Sequence, residues 1–200
     1  MALQFKNGIF FHIPKTGGNY TRRVIRSLIP KGQGKEIGGS PHCDPVEANT
    51  INPETGRTNP HFWTFCIVRH PVEWYCSVYR YRRQTGPRFD WDLDPYLQHK
   101  VFNDFVDLTC NAYPNGFLTS WYKRFTPYVN TVLRTEMLTN GLKANLKKAG
   151  IIYNPGSIDK IPRTNVSDRQ YKTQINISTL QKLYKAEKSA FKDYGYPRPF

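Results

Sequence analysis

No apolar run in this 200-residue sequence approaches the length needed to cross a bilayer. Met1 to Asn7 lacks the apolar core of a secretory leader. The expectation is a cytoplasmic or otherwise soluble protein with no membrane partner. Without a leader, the glycosylation patterns at Asn19, Asn165 and Asn176 are expected to be chance matches. Cysteine is scarce: Cys43, Cys66, Cys76 and Cys110 form no C-x-x-C pair, which argues against a zinc ribbon or redox motif. Cys66 lies in an apolar run and is expected to be a small buried hydrophobe. Acidic residues are also few, 15 against 29 Lys and Arg, for a formal net charge of +14. That surplus favours polyanionic partners, whether nucleic acid, anionic membrane, nucleotides or acidic glycans, without choosing among them.

What is present is a globular composition, with 38% hydrophobic and 14% aromatic residues. The length suits a single domain, 1–200, able to bury a core without disulfides. Ile9 to Ile13 reads as a buried strand, followed after Gly17-Gly18 by a helix with Tyr20, Val24, Ile25 and Leu28 on one face. Residues 31–60, rich in Gly, Pro, Asn and Thr, read as a long, mostly irregular connection. Phe62 to Val68 is a second strand, and Arg69-His70-Pro71 turns into a helix. Val101 to Leu108 and Phe117 to Phe125 suggest helices, and Tyr128 to Leu133 a third strand. Met137 to Leu146 marks the next helix, residues 151–176 read as irregular, and a last helix carries Leu180 to Phe191 behind a capping box of Ser178 and Gln181. Apolar strands alternating with helices predict an α/β fold with a central parallel sheet flanked by helices.

Ligands of open parallel sheets bind outside the carboxyl ends of the strands, and two strands here end in cationic, helix-initiating loops. In Pro14-Lys15-Thr16-Gly17-Gly18, glycine-freed amides, a lysine charge and a helix N-terminus make an anion cradle. The lysine precedes the glycines, so this is not a Walker A sequence, and the loop suits one phosphate-like group better than three. The second loop offers Arg69 for bidentate phosphate binding, with Ser77 eight residues on. Two separated anion sites imply a ligand with two separated phosphates.

Together these segments resemble the PAPS-dependent sulfotransferases of the carbohydrate type. Pro14 to Gly18 is similar to their 5′-phosphosulfate loop, and Arg69-His70-Pro71 with Ser77 to their 3′-phosphate segment. Glu136, Asn165-x-Ser167 and Asp193-Tyr194-Gly195-Tyr196 extend the resemblance over nearly the whole chain. The resemblance implies a single P-loop-like domain that takes PAPS, releases PAP and requires no metal. It places Lys15, Thr16, Gly17, Gly18, Asn19, Tyr20 and Thr21 around the 5′ end of the nucleotide and Arg69 and Ser77 at the 3′-phosphate. Asn19 and Tyr20 stand where the family has hydroxyl residues, which leaves Thr16 or Thr21 to supply hydroxyls. In the absence of an Arg-Lys-Gly loop, Lys160 and Arg163 are the basic residues available to close over the nucleotide.

The implied reaction is in-line transfer of a sulfuryl group to an acceptor hydroxyl, of a glycan (an anionic one included) or another small hydroxylated molecule. Lys15 would neutralise charge on the leaving phosphate. His42, with Asp44 to orient it, is the candidate general base, and His61 the second choice. His12 alternates with buried strand residues and is expected to be structural. Two alternatives remain open. One is a basic nucleic-acid-binding protein, disfavoured because no binding motif is present. The other is a nucleotide-dependent phosphotransferase, disfavoured by the lysine position and the lack of a magnesium-holding Asp.

Overall fold

The computed structural model describes residues 2–40, 42–52, 55–86, 92–97, 101–162 and 171–200. In chain order the elements are β1 (Ala2–Phe5), β2 (Gly8–Phe11), α1 (Gly18–Leu28), β3 (Gly34–Ile37), β4 (Ile51–Asn52), β5 (Arg57–Thr58), β6 (Trp63–Val68) and α2 (Pro71–Thr85). There follow α3 (Asp94–Leu97), α4 (Phe102–Ala112), α5 (Phe117–Phe125), β7 (Thr131–Arg134), α6 (Leu138–Lys148), α7 (Pro155–Asp159), α8 (Ile177–Ala186) and α9 (Lys188–Asp193). Among the described residues, no helix is long and apolar enough to cross a membrane. The chain divides into two compact units, one of residues 1–69 and 122–165, the other of residues 70–121 and 166–200.

The first unit is α/β. Among the described residues its main sheet has five strands in the order β3-β1-β2-β6-β7. β2, β6 and β7 are parallel neighbours, with Phe11 opposite Cys66 and Val68 opposite Arg134. The all-parallel expectation is corrected at one side, where β1 is antiparallel to both β2 and β3. The cause is local. Ala2, Leu3 and Phe5 are fully buried, and the chain reverses within Lys6-Asn7, where Lys6 adopts a left-handed φ of 42°. β1 thus returns directly beside β2, which a parallel neighbour could not do without a crossover.

Residues 31–60 are mostly irregular, with β3 and the short β4–β5 ladder falling within them. Strand β3 carries Lys35 and Glu36, so its pattern lacks an apolar run. It is held by backbone pairing and by Arg22 and Arg26 of α1, which both pair with the Glu36 carboxylate. One face of the sheet (Leu3, Phe5, Phe10, Phe65, Ile67 and Leu133) packs with Tyr20, Val24 and Ile25 of α1 and with Leu138, Leu142 and Leu146 of α6. Each fully buried Phe or Leu there is worth about 1.5–3 kcal/mol of transfer free energy, which makes this face the main source of stability in the unit. The apolar periodicity of α1 follows directly, and Ile29 and Pro30 end the helix.

The second unit is helical among its described residues. Tyr75 and Tyr79 of α2 meet Phe105 and Phe102 of α4 at ring separations of 5.9 and 5.4 Å. Arg82 and Asp94, both buried, pair at 2.9 Å. The single final helix expected from sequence is two, α8 and α9, broken at Glu187. Its cap is Asn176, whose side chain accepts from the Thr179 amide at 2.8 Å, instead of the Ser178–Gln181 box. α7 adds a short helix within 151–176.

Glu187 explains the break. Its fully buried carboxylate accepts hydrogen bonds from the Tyr75 hydroxyl at 2.7 Å, the Leu118 and Thr119 amides at 2.9 and 2.8 Å, and the Thr119 hydroxyl at 2.7 Å. Burial raises its pKa above the ordinary carboxylate value, and these donors oppose the rise. The group therefore caps the first turn of α5 from the junction of α8 and α9. Glu187→Ala leaves four buried donors without their acceptor and is expected to cost about 3–5 kcal/mol, read from the urea midpoint. A loss under about 1 kcal/mol would show the cluster to be dispensable.

Candidate anion site of the first unit

The site is built where β2 and β6 end side by side. After Phe11 the chain continues through buried His12, Ile13 and Pro14 to Lys15, which takes a left-handed φ of 62°. Gly17 then adopts φ 93° and caps α1, with no side chain capping the helix start. Alternation of left- and right-handed backbone turns successive amides toward one side. The first turn of α1 carries no acidic residue, so its positive end is uncompensated within the helix.

Gly18 is required by packing. A Cβ there would lie 1.8 Å from His12 Cδ2. The His12 ring is pressed against the first residue of α1 and is stacked on Phe10 at 6.1 Å on its other neighbour. This makes the loop short and stiff.

The second loop reaches the first. Arg69 Nη1 donates to the Lys15 carbonyl at 3.3 Å, across 54 residues of sequence. The Arg69 backbone is itself fixed by Tyr122, whose hydroxyl accepts from the Arg69 amide at 2.8 Å and donates to the Arg69 carbonyl at 2.7 Å. Thr135, immediately after β7, completes the edge. Its hydroxyl lies 3.0 Å from the carbonyl oxygens of both Thr16 and Val68. Sequence reasoning missed Tyr122 and Thr135 as site-shaping residues. Thr135 had one available signal, its place at the carboxyl end of a parallel strand.

The expected site residues separate on inspection. Lys15 and Arg69 are half-buried at this edge, and Asn19 is exposed on the first turn of α1. The hydroxyls expected from Thr16 and Thr21 are turned inward. Thr16 donates to the Ile13 carbonyl at 2.8 Å and Thr21 to the Gly17 carbonyl at 3.2 Å. Tyr20 is a member of the hydrophobic core and points away from the loop surface. Ser77 belongs to the second unit, where it is buried on α2. Arg163 and the Asn165-x-Ser167 segment lie outside the described residues. Lys160 is exposed just after α7, and His61 is exposed ahead of β6.

His42 does meet the loop. Its Nδ1 lies 3.2 Å from the His12 carbonyl oxygen, which can only accept, so Nδ1 carries the proton and Nε2 keeps its lone pair. The two imidazole rings stand 4.9 Å apart, edge to face. Burial lowers the pKa of His42, and the nearby Arg22 adds to this against the opposing hydrogen bond to His12. Burial, then the neighbouring His42 and Arg22, lowers the pKa of His12 to about 3. Asp44 does not orient His42 as the sequence suggests. One of its oxygens accepts from the Val46 and Glu47 amides, each at 2.9 Å, and the other from Arg124 Nε at 3.0 Å.

Comparison of this chain with family models, with curated proteins and with solved structures returned no match.

The His12 shift has a consequence for stability. Its folded pKa is depressed from 6.5 to about 3, so the contribution is fully present above pH 6.5 and is lost as pH falls through that window toward 3. Unfolding free energy should decline on acidification with a His12 component of about 1.4 kcal/mol per pH unit. Urea titrations of His12→Asn should show a shallower slope by that amount. An equal slope would assign the acid sensitivity to other groups.

Proposed function

We propose that the first unit is a P-loop-like nucleotide-binding fold and that the protein is a sulfotransferase, moving the sulfuryl group of PAPS to an acceptor hydroxyl. The observation that carries this reading is the junction of Lys15 and Arg69. Two cationic loops from adjacent parallel strands share one edge, joined by a hydrogen bond of 3.3 Å. The donor set suits a phosphosulfate, with the backbone amides of a loop in which Lys15 and Gly17 are left-handed, a lysine, a guanidinium and no acidic residue in the first helical turn. The loop is too short to wrap a triphosphate.

In this mechanism the Lys15 ammonium and the backbone amides from Thr16 to Asn19 stabilise charge developing on the leaving phosphate. Arg69 holds the nucleotide, so that binding energy aligns the sulfur with the acceptor. The acceptor oxygen forms a bond to sulfur as the bond from sulfur to the phosphate oxygen breaks. The acceptor proton passes to Nε2 of His42, the nitrogen left with a lone pair by the His12 carbonyl. A depressed pKa keeps His42 in its basic form at neutral pH. Thr16 and Thr21 contribute through loop geometry, since their hydroxyls are engaged with backbone carbonyls.

Calorimetry separates this from the alternatives. PAP should bind without magnesium, and Lys15→Ala should weaken it by about tenfold or more with little loss of stability. Wild-type affinity in that variant overturns the assignment, while binding of short DNA or magnesium-dependent ATP in place of PAP selects one of the other two readings. For His42, the rate should fall as pH drops through its lowered pKa, below 6.5. His42→Ala should lose about 10²–10⁴ in kcat and lose that acid limb; persistence of the limb would remove His42 from the base role.

A further inference from the structure

Within the first unit a cavity of about 400 Å³ opens on the sheet face opposite α1 and α6. Its floor is Gln4 of β1 and Ile9 of β2, and its walls are Ile37 of β3, the turn of residues 48–52, and Asn59 and Phe62. Ile9 lies in the amino-terminal half of β2, and Asn59 and Phe62 precede β6. The cavity is therefore toward the opposite strand ends from Lys15 and Arg69.

The lining is unusual for this chain. In a protein with 29 basic residues, none of the described residues lining the cavity has an ionisable side chain. Lys35, the cross-strand partner of Gln4, is exposed and is not part of the lining. The polar groups are instead carboxamides, from Gln4, Asn49, Asn52 and Asn59. Gln4 occupies a strand position flanked by fully buried Leu3 and Phe5, whose side chains face the other way into the core. Its half-buried carboxamide makes no hydrogen bond to any described residue, so its donor and acceptor atoms are available at the cavity floor. Asn59 spends only its oxygen, which accepts from the His61 amide at 3.0 Å.

The walls are fixed before any ligand arrives. Asn59 N–H donates to the Thr50 carbonyl at 2.9 Å, and the Thr50 amide and hydroxyl both reach the Pro45 carbonyl, at 3.2 and 2.9 Å. Asn49 holds a left-handed φ of 51° at the turn, a conformation that Asn tolerates better than most residues. Asp44 anchors the same turn to Arg124.

We infer that this cavity is a binding site for a neutral polyhydroxylated ligand, one or two rings of an uncharged saccharide. Each carboxamide offers a donor and an acceptor side by side, which matches vicinal hydroxyls. Half-buried Ile37, Ile51 and Phe62 supply the apolar surface on which the C–H face of a sugar ring packs. The absence of lining charge disfavours phosphate, sulfate and carboxylate ligands, in contrast to the Lys15 edge. The volume lies within the range of about 300–1,000 Å³ typical of small-molecule sites. This site stands independently of sulfuryl transfer.

The test is amide NMR on the ¹⁵N-labelled full chain titrated with N-acetylglucosamine and with maltose. Saturable shifts are expected at the side-chain NH₂ signals of Gln4, Asn49 and Asn59. Two variants protect the test from misfolding. Asn49→Gly removes the carboxamide where glycine fits the backbone better, and Gln4→Met keeps the side-chain volume in the strand. Each should weaken binding about tenfold while signals outside the cavity keep their positions. The inference is overturned by absence of saturable shifts at those groups, by unchanged affinity in both variants, or by sulfate, glucuronate or N-acetyl-leucinamide occupying the same signals as well as the saccharides do.

Discussion

The parallel pairing of β2, β6 and β7 is the constraint on which the first unit depends. It sets three strand ends at one edge and so decides which loops can meet. The hydrogen bonds that join those loops are individually small, about 0.5–1.5 kcal/mol net each. They could not assemble the edge against chain entropy by themselves. The energy comes from the apolar face shared with α1 and α6, and the loop bonds select one arrangement of an edge already formed. Thr135 illustrates the division. Its hydroxyl touches the carbonyls of two other strand-end segments at 3.0 Å, which is little energy but a strong restriction on where Thr16 and Val68 can sit.

Charge at the edge is arranged by environment as much as by sequence. Four cationic or potentially cationic side chains gather near one loop: Lys15, Arg69, His12 and His42. Burial lowers the pKa of both imidazoles, with repulsion from His42 adding to the effect on His12 and Arg22 to both, so the positive charge at the loop belongs to the lysine and the guanidinium groups. His12 acts through shape. Its ring fills the space that any side chain at position 18 would need, and it offers its carbonyl to fix the tautomer of His42. One buried residue thus sets the approach of α1 and the proton position on its neighbour.

Much of this edge was legible because parallel strands leave continuous apolar runs. Phe10 to Ile13 and Phe65 to Val68, each followed by a cation and a helix start, announce both loops. The missed strands have physical reasons. β1 turns into β2 through Lys6 in a left-handed conformation, which lysine does not advertise. β3 is an edge strand whose Lys35 and Glu36 hide it from any hydrophobic pattern, and its attachment comes from Arg22 and Arg26. Side-chain partners were less legible than strands. Asp44 sits two residues from His42 yet spends its carboxylate on its own turn and on Arg124, 80 residues away. Thr16 and Thr21 look like ligand hydroxyls in a string of letters, and only the fold shows that backbone carbonyls have already claimed them. The break between α8 and α9 depends on Glu187 meeting α5, a relation no local window contains.

The antiparallel strand β1 gives the sheet two very different kinds of seam. β1 and β2 join through a two-residue reversal, the sort of closure that takes microseconds. The β6–β7 seam joins positions 66 residues apart, as with Thr64 and Asn130, and must await a much larger search. During synthesis the hairpin can therefore form while most of the chain is still being made. The cation-bearing edge can exist only after residue 135 has emerged. Until then Phe65, Ile67 and their neighbours have no complete cover, so the long interval between β6 and β7 is the period in which a nascent chain of this protein is most exposed to self-association.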